Sequence, residues 1–376
     1  MSSELRRLFI GLILIASVVA VFRQPELAGD PAIYRSRMAL LFDGETPYLD
    51  FFFEHLPLVI APMGTAWLLG GAFSPVVYTV IFAVLMALCL LLTVIHVERI
   101  GDVLDLDGAG RRWLAVAGPL FPFILFRSDP FPVALAVVAL HAMMGEKERR
   151  STWMQYAGVM AKGWPAVLAL PEWWRGRRWK AATLLTTTAG LMVGLIALPG
   201  FSQARQFSGI HSETVVGGFF TLARLRTGSS LALINEAGAT YVAVPVWATV
   251  LNLTLGILLI GVALFRPGAF SWEGTVRLLS AVVAALLIGS PLLSPQFILW
   301  GTPFLALHPE RTVRASAFTV STLTLVYMLG WNPGFEGDLW WVGVVNLRNV
   351  VLVVLGVMTA LAVSRARIAS DERGRP

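Results

Sequence analysis

Long apolar segments recur along almost the whole sequence, and they constrain the fold more than any other feature. Each is about 15 to 25 residues long, the length that a helix needs to cross the hydrocarbon core of a bilayer. Charged residues make up 14% of the chain, whereas soluble domains contain roughly one quarter. The sequence lacks the alternating segments of about ten residues that are typical of a transmembrane β-barrel. It therefore predicts an all-α polytopic membrane protein.

Basic residues between the apolar segments indicate how the chain is oriented. Three loops are especially rich in Arg and Lys: residues 98–112, 145–150 and 173–180. We predict that these loops are cytoplasmic, because positive loops remain on that side of the plasma membrane. The net charge of +6 is then a determinant of topology, and no nucleic-acid partner is expected. The apolar run 8–22 follows two arginines and lacks a small-residue cleavage site, so it is predicted to be an uncleaved first span.

Segment 151–172 conflicts with a simple count of crossings, because one full crossing would place a strongly basic loop outside. Its middle contains Lys162, Gly163 and Pro165, a combination that interrupts a helix. We predict a re-entrant pair of half-helices with Lys162 near the apex. An ionisable side chain at such an apex is a candidate functional residue. Segment 57–73 is similarly rich in Gly and Pro and is predicted to be a partial, juxtamembrane helix.

The remaining apolar segments complete the predicted topology. They are residues 76–97, 113–126, 131–144, 181–199, 241–265, 278–290, 297–308, 315–330 and 347–364. This gives about ten full crossings in a single integral-membrane domain, 1–376, with both termini cytoplasmic and a basic cytoplasmic tail at 365–376. Two outer loops result, 23–57 and 200–240, and Arg348 lies at a predicted outer end of the last span.

The first outer loop, 23–57, contains the densest group of titratable side chains in the chain: Asp30, Asp43, Glu45, Asp50, Glu54 and His55. It is also rich in aromatic residues, among them Tyr34 and Tyr48. Asp30 before Pro31 predicts the start of a short helix that ends at Asp43-Gly44. Pro47 predicts the start of a second short helix, 48–55. Asp50 and Glu54 would share one face of that helix, because they are four residues apart.

Two interpretations are open for each charged candidate. Asp30 is either a helix N-cap or a general base for deprotonating a hydroxyl. Arg127 and Asp129 form either a surface ion pair, with Asp129 as another N-cap, or part of an anion site with Lys162, since cationic side chains suit a phosphate. His55 is either a helix-end residue or a donor to phosphate.

A divalent metal held by Asp50 and Glu54 is a further alternative for the loop. The sequence has no second cluster of oxygen ligands to complete such a site. We therefore expect no cofactor, with the metal site kept as the alternative.

Short motifs in the first outer loop resemble those of a known enzyme superfamily. They are Gly44-x-x-Pro47-Tyr48-x-Asp50 and Phe53-Glu54-His55-x-Pro57-Leu58, after the acidic Asp30, and later Arg127-Ser128-Asp129, Lys162-x-x-Pro165 and Ser294-Pro295-Gln296-Phe297. In this order they are similar to the GT-C superfamily of membrane glycosyltransferases. Within it they resemble the bacterial polyprenyl-phosphate-mannose-dependent mannosyltransferases, glycosyltransferase family 87. The chain departs from that pattern at His55-Leu56-Pro57, where relatives often have a doubled proline.

The resemblance implies a GT-C-like fold and an inverting transfer of a hexose, mannose being expected, at the extracytoplasmic face. The donor would be a polyprenyl-phosphate sugar in the lipid bilayer, and the acceptor a hydroxyl of a glycolipid or glycan. Asp30 would be the general base, and the donor phosphate would contact Arg127, Lys162 and His55. Acceptor or loop contacts would come from the remaining candidates: Tyr34, Tyr48, Asp50, Glu54 and Asp129.

Two other functions fit a polytopic chain with charged residues and broken helices. A transporter or lipid flippase without transferase activity would more often have two similar halves with paired broken helices, a symmetry that the sequence does not show. A non-catalytic assembly subunit is the third alternative.

Overall fold

Helices make up most of the described residues, as the recurring apolar segments predict. The structure is a computed structural model that describes residues 2–22, 29–202, 209–228, 233–236, 239–264, 271–330 and 337–373. The chain divides into two compact units. The N-terminal unit comprises Met1–Leu114 with Phe121–Gln206, and the C-terminal unit comprises Ala115–Leu120 with Phe207–Pro376. Parts of the two predicted outer loops and of the predicted tail lie outside the described part of the chain. They are residues 23–28, 203–208, 229–232, 237–238 and 374–376.

The N-terminal unit contains eleven described helices, the fifth of which continues into the other unit. They are α1 Ser3–Phe22, α2 Asp30–Phe42, α3 Ile60–Ala66, α4 Pro75–Val103, α5 Ala109–Ala117, α6 Phe121–Ile124, α7 Pro130–Met144, α8 Glu148–Lys162, α9 Ala169–Trp174, α10 Arg178–Ile196 and α11 Pro199–Ser202. Short 3₁₀ turns at Pro57–Val59, Gly118–Leu120 and Trp164–Leu168, and a π turn at Trp67–Gly71, join some of them.

The C-terminal unit contains six helices among its described residues. They are α12 Val215–Thr227, α13 Val246–Leu264, α14 Trp272–Gly289, α15 Ile298–Leu307, α16 Arg311–Gly330 and α17 Leu339–Arg373. A 3₁₀ turn, Pro295–Phe297, precedes α15. Helix α14 is central, because it packs against α13, α15 and α17.

Six of the described helices are long and apolar enough to cross a membrane: α4, α10, α13, α14, α16 and α17. This confirms a polytopic helical membrane protein, but the described residues do not contain ten such helices. Segment 113–126 is interrupted at Gly118–Leu120 and contains Pro119 and Pro122, which remove backbone donors and obstruct a continuous helix. Segment 297–308 forms only a ten-residue helix. Which face is cytoplasmic stays a prediction.

The predicted first outer loop has the expected first helix but not the second. Helix α2 begins at Asp30 and ends before Asp43, as expected. Residues 46–51 form a turn instead of a helix, because the Asp50 carboxylate accepts from the Thr46 amide at 2.7 Å. Such local capture of a backbone donor competes with helix formation. The prediction of a helix over 48–55, with Asp50 and Glu54 on one face, is therefore wrong.

A close backbone approach holds this loop in the N-terminal unit. The Gly200 amide donates to the Tyr48 carbonyl at 2.9 Å, and the Phe53 amide donates to the Gly200 carbonyl at 3.2 Å. A Cβ atom at Gly200 would lie 2.7 Å from the carbonyl oxygens of Tyr48 and Phe51. Only glycine allows this contact, so α11 and the predicted outer loop are joined by main-chain hydrogen bonds.

The predicted break in segment 151–172 is confirmed, and its two ends return to the same place. Helix α8 ends at Lys162, and Gly163 follows with φ +71°. The Glu148 carboxylate lies 2.9 Å from Arg177 and 3.4 Å from Lys180. The basic loops on either side of this segment are therefore in contact, as a re-entrant hairpin requires. The depth of the hairpin in a bilayer stays a prediction.

Replacing Gly163 with alanine is expected to destabilise the protein by about 1–3 kcal/mol, because φ +71° with ψ −47° is costly for a residue with a side chain. The measurement is the thermal unfolding midpoint in detergent. Gly194→Ala is the matched control, since it lies in α10 with open space around the added atom, and we expect it to be neutral or slightly stabilising. Equal midpoints for the two variants would contradict a strained break at Gly163.

A small antiparallel sheet lies in the second predicted outer loop. Its strands are β1 Ile210–His211, β2 Leu233–Glu236 and β3 Ala239–Val242, in the order β1-β3-β2. Tyr241 faces His211 on one side and Ile234 on the other. This sheet and α12 were not predicted from the sequence. The strands, of two to four residues, are too short to give a clear periodic pattern.

A buried polar cluster holds the β1–α12 connection to α16 and α17; we call Glu213, Tyr327, Arg348 and Asn349 the Glu213 cluster. Arg348 donates to the Glu213 carbonyl at 2.5 Å, and its guanidinium lies 3.6 Å from the Glu213 carboxylate. Tyr327 donates to the same carboxylate. Asn349 donates to the carbonyls of Glu213 and Thr214 at 3.2 and 2.9 Å. All four side chains are buried, so the cluster satisfies polar groups that would otherwise be costly.

His308 is expected to make the protein sensitive to acid. It is fully buried between α15 and α16, and burial, then the charges of Arg277 and Arg314, lowers the pKa of its imidazole to about 3. The unfolded chain therefore binds the proton first as pH falls below about 6.5. The stability held by neutral His308 is complete above that pH and is lost as pH falls toward 3.

The expected loss is about 1.4 kcal/mol per pH unit between pH 6.5 and 4. In His308→Gln the free energy of unfolding should fall less steeply with pH, by this same amount per pH unit, because glutamine gains no proton. Unfolding midpoints of both proteins, measured from pH 7 to pH 4, test this. Parallel curves for the two proteins would show that His308 does not titrate on unfolding.

Candidate functional site

Side chains from four separate segments of the N-terminal unit converge beside the first outer loop. Helix α2 supplies Asp30 and Tyr34, and the extended stretch before Pro57 supplies Glu54 and His55. The turn between α6 and α7 supplies Arg127, Ser128 and Asp129, and the end of α8 supplies Lys162. We call these eight residues the Asp30 cluster.

Asp30 lies in an ion pair and not at a helix cap. It is the first residue of α2, and no side chain caps that end, so the N-cap interpretation is wrong. Its carboxylate contacts the Arg127 guanidinium and accepts from the Tyr34 hydroxyl at 2.9 Å. The side chains of Asp30 and Arg127 are 21% and 16% exposed. The carboxylate therefore lies in an ion pair at the edge of the protein interior.

Tyr34 is placed to orient Asp30. The two residues are four apart on α2 and share a face. Burial, followed by the negative charge of Asp30, raises the pKa of the Tyr34 hydroxyl well above its usual value. Tyr34 consequently stays protonated and donates its hydrogen bond to the carboxylate.

Arg127 is charged and keeps one donor unused. Burial lowers the pKa of its guanidinium, but the attraction of Asp30 and Tyr34 outweighs burial and leaves that pKa raised. Arg127 Nε and Ser128 Oγ are buried and have no hydrogen-bond partner among the described residues. Two buried donors in adjacent residues are unusual, and an anion is the ligand that would satisfy both.

Lys162 pairs with Asp129 at 2.9 Å, in a contact where the Asp129 side chain is only 2% exposed. Asp129 occupies the N-cap position of α7 but makes no cap hydrogen bond. The interpretation of Arg127 and Asp129 as a surface ion pair is therefore wrong, because each pairs with a residue distant in sequence. Lys162 therefore lies at the α6–α7 turn, and its position at the apex of a membrane hairpin stays a prediction.

Glu54 and His55 form the other side of the cluster with Arg37, which the sequence analysis missed. The Glu54 carboxylate lies 3.9 Å from Arg37 and 3.6 Å from the His55 ring. Burial raises the pKa of Glu54, and the charges of Arg37 and Lys162 partly oppose this. The His55 ring lies edge-on to Tyr34 with centroids 5.2 Å apart. Asp30, Tyr34 and Arg37 are spaced as one helical face, and that spacing could have identified Arg37.

Two predicted residues have local roles outside the cluster. Asp50 holds the 46–51 turn through the Thr46 amide. Tyr48 donates to the His55 carbonyl at 2.7 Å and packs against Phe53 and Phe201. Among the described residues, no group of three or more His, Cys, Asp or Glu side chains is arranged to hold a metal ion.

The cluster borders a buried apolar layer that includes Met38, Phe53, Met63, Phe82 and Met86. Such surroundings strengthen the electrostatic interactions at their edge. Helix α2 is also fixed at this layer, because Arg35 donates to the carbonyls of Gly71 and Ala72 at 2.8 and 3.0 Å. The charged groups are therefore held by rigid elements.

The arrangement combines an anchored carboxylate with the cations Arg127 and Lys162, and Arg127 Nε has no hydrogen-bond partner among the described residues. The carboxylate suits proton abstraction from a hydroxyl, and Arg127 and Lys162 suit a phosphate. Comparisons of the chain with protein-family models, curated proteins and solved structures found no match. The GT-C resemblance therefore rests on the motifs alone.

Proposed function

We propose that this protein is a membrane hexosyltransferase of the GT-C type. It moves a hexose, mannose being expected, from a polyprenyl-phosphate donor to a hydroxyl of a glycolipid or glycan. The observation that carries the proposal is the contact of Asp30 with Arg127, beside the Lys162–Asp129 pair. These residues belong to the motifs that resemble the GT-C superfamily: the acidic Asp30, Arg127-Ser128-Asp129 and Lys162-x-x-Pro165.

In the proposed reaction, Asp30 accepts the proton of the acceptor hydroxyl as its oxygen attacks the anomeric carbon. The bond from that carbon to the phosphate oxygen breaks on the opposite face, so the configuration inverts. The electron pair of this bond remains on the polyprenyl phosphate. Arg127 and Lys162 offset the negative charge that grows on the phosphate. Such electrostatic stabilisation of the transition state is the largest contribution to catalysis in many enzymes. His55 donates to the same phosphate.

Arg127 would link donor binding to the activity of the base. Asp30 has two partners, the Arg127 guanidinium and the Tyr34 hydroxyl. A donor phosphate competes with the carboxylate for Arg127. Asp30 would then keep the Tyr34 hydrogen bond but lose the Arg127 contact, which leaves its carboxylate able to accept from the acceptor hydroxyl.

The finer topology belongs to the same proposal. A polytopic arrangement with a re-entrant α8–α9 hairpin would place the Asp30 cluster at the extracytoplasmic face, with both termini cytoplasmic. The prenyl chain of the donor would lie in the bilayer beside the apolar helices. This location explains why the charged cluster borders apolar segments.

The test is transfer from radiolabelled polyprenyl-phosphate mannose by the purified full chain in proteoliposomes containing a membrane glycolipid extract. We expect label in a new glycolipid or glycan and stoichiometric release of polyprenyl phosphate. Asp50→Asn is the matched control variant, since Asp50 is an acidic residue of the same loop outside the cluster, and it should retain activity.

Two results would count against the proposal. One is intact donor with any glycolipid or glycan acceptor tested. The other is movement of the intact lipid across the bilayer without release of the sugar, which would favour the flippase alternative.

A further inference from the structure

The two loops that flank the α8–α9 hairpin form one basic surface. Their contact rests on Glu148, which pairs with Arg177 at 2.9 Å and with Lys180 at 3.4 Å. We call the seven basic residues of these loops the basic platform: Lys147, Arg149, Arg150, Arg175, Arg177, Arg178 and Lys180. The platform lies at the end of the hairpin opposite Lys162, and so away from the Asp30 cluster.

The platform has a large excess of positive charge. Its seven cations face three carboxylates, Glu146, Glu148 and Glu172, which leaves an excess of four. Glu148 pairs with platform residues, and Glu172 is fully buried, where it accepts from Gln155 at 3.1 Å and lies 3.7 Å from Arg177. Among the described residues, Arg149 and Arg150 form no ion pair and are exposed. The outer charges of the platform are therefore available to an anionic partner.

Exposed tryptophans lie among these cations. Trp153, Trp173 and Trp179 are 63%, 46% and 85% exposed, and the Arg178 guanidinium lies 5.8 Å from the centre of the Trp173 ring. Trp153 also lines an open surface depression with Arg149 and Arg150. Indole rings prefer the level of the lipid headgroups. The platform therefore combines cationic side chains that suit a phosphate with tryptophans that suit the bilayer interface.

We propose that the basic platform binds the headgroups of anionic phospholipids in the adjoining leaflet. The Arg and Lys side chains contact the lipid phosphates, and the three tryptophans lie in the interfacial layer beside them. Each basic residue near an anionic membrane surface adds to this attraction. This inference concerns a surface separate from the Asp30 cluster and does not depend on the proposed transferase activity.

The test compares binding of phosphatidylglycerol and phosphatidylcholine to the purified full chain in neutral detergent, by native mass spectrometry. The variant carries Arg149→Gln, Arg150→Gln and Arg178→Gln. The matched control carries Arg6→Gln, Arg7→Gln and Arg111→Gln, three arginines that are also exposed. We expect the platform variant to bind phosphatidylglycerol about 10- to 100-fold more weakly, and the control to change by less than about threefold.

The wild-type protein provides a second test that needs no variant. Phosphatidylglycerol should bind more tightly than phosphatidylcholine, and raising salt from ~50 mM to ~500 mM should weaken the binding several-fold. Equal affinity for the two lipids, or no effect of salt, would overturn the proposal. So would unchanged phosphatidylglycerol binding by the platform variant, or a preference for polyglutamate over phosphatidylglycerol, which would identify an acidic protein as the partner.

Discussion

Transfer from a polyprenyl-phosphate sugar is expected to fall by about 10²- to 10⁴-fold when Asp30 is replaced by asparagine, the range typical for loss of a general base. Asparagine keeps the shape of the side chain and can still accept from Tyr34 and Arg127. It cannot take the proton of the acceptor hydroxyl. The loss should therefore appear in the rate of transfer and much less in the affinity for the donor.

The measurement is the initial rate of sugar transfer at saturating donor, together with the unfolding midpoint of each protein. Asp50→Asn is again the control, because Asp50 serves a local turn. A correctly folded Asp30→Asn protein that transfers sugar at the wild-type rate would remove Asp30 from the role of base. Loss of donor binding with an unchanged rate at saturation would instead assign Asp30 to positioning Arg127.

The second large effect is expected in the C-terminal unit, where Arg348→Met should destabilise the protein by about 3–5 kcal/mol. Arg348 is fully buried, and its loss removes the cation beside the Glu213 carboxylate. It also removes the donor to the Glu213 carbonyl. We expect the unfolding midpoint in detergent to fall by on the order of 10 °C.

Two variants control for this effect. Arg111→Met removes an exposed ion pair with Glu4 and should cost under about 1 kcal/mol. The double variant Glu213→Gln with Arg348→Met should recover part of the loss, because both members of the buried pair are then neutral. The same midpoint for Arg348→Met and Arg111→Met would show that the Glu213 cluster contributes little to stability.

The local breaks in the chain were predictable because their causes are local. Gly163 and Pro165 end α8 at Lys162 wherever that helix lies. Asp43-Gly44 ends α2 for a similar reason, with Gly44 at φ +97°. The class of the protein was predictable as well, since apolar length depends on composition alone.

The failed predictions share a different cause. The predicted helix over 48–55 does not form, because the Asp50 side chain accepts from a backbone amide and because Gly200 makes main-chain hydrogen bonds to this stretch. A rule based on helical spacing takes neither contact into account. Segments counted as full spans turned out short where proline interrupts them, as at 113–126. Arg37 was missed although its spacing from Asp30 was visible.

The sequence by itself determined a polytopic helical protein, the break at Lys162, and a set of charged candidates near the first outer loop. These depend on composition, on periodicity and on Gly and Pro, which act within a few residues. Only the tertiary structure decided what those charges do. For Asp30 and Asp129 the sequence left a helix N-cap open beside a functional role, and the structure places Arg127 and Tyr34 on the Asp30 carboxylate and Lys162 on Asp129. Ion pairs between distant residues depend on how helices pack, and this information is absent from any local pattern.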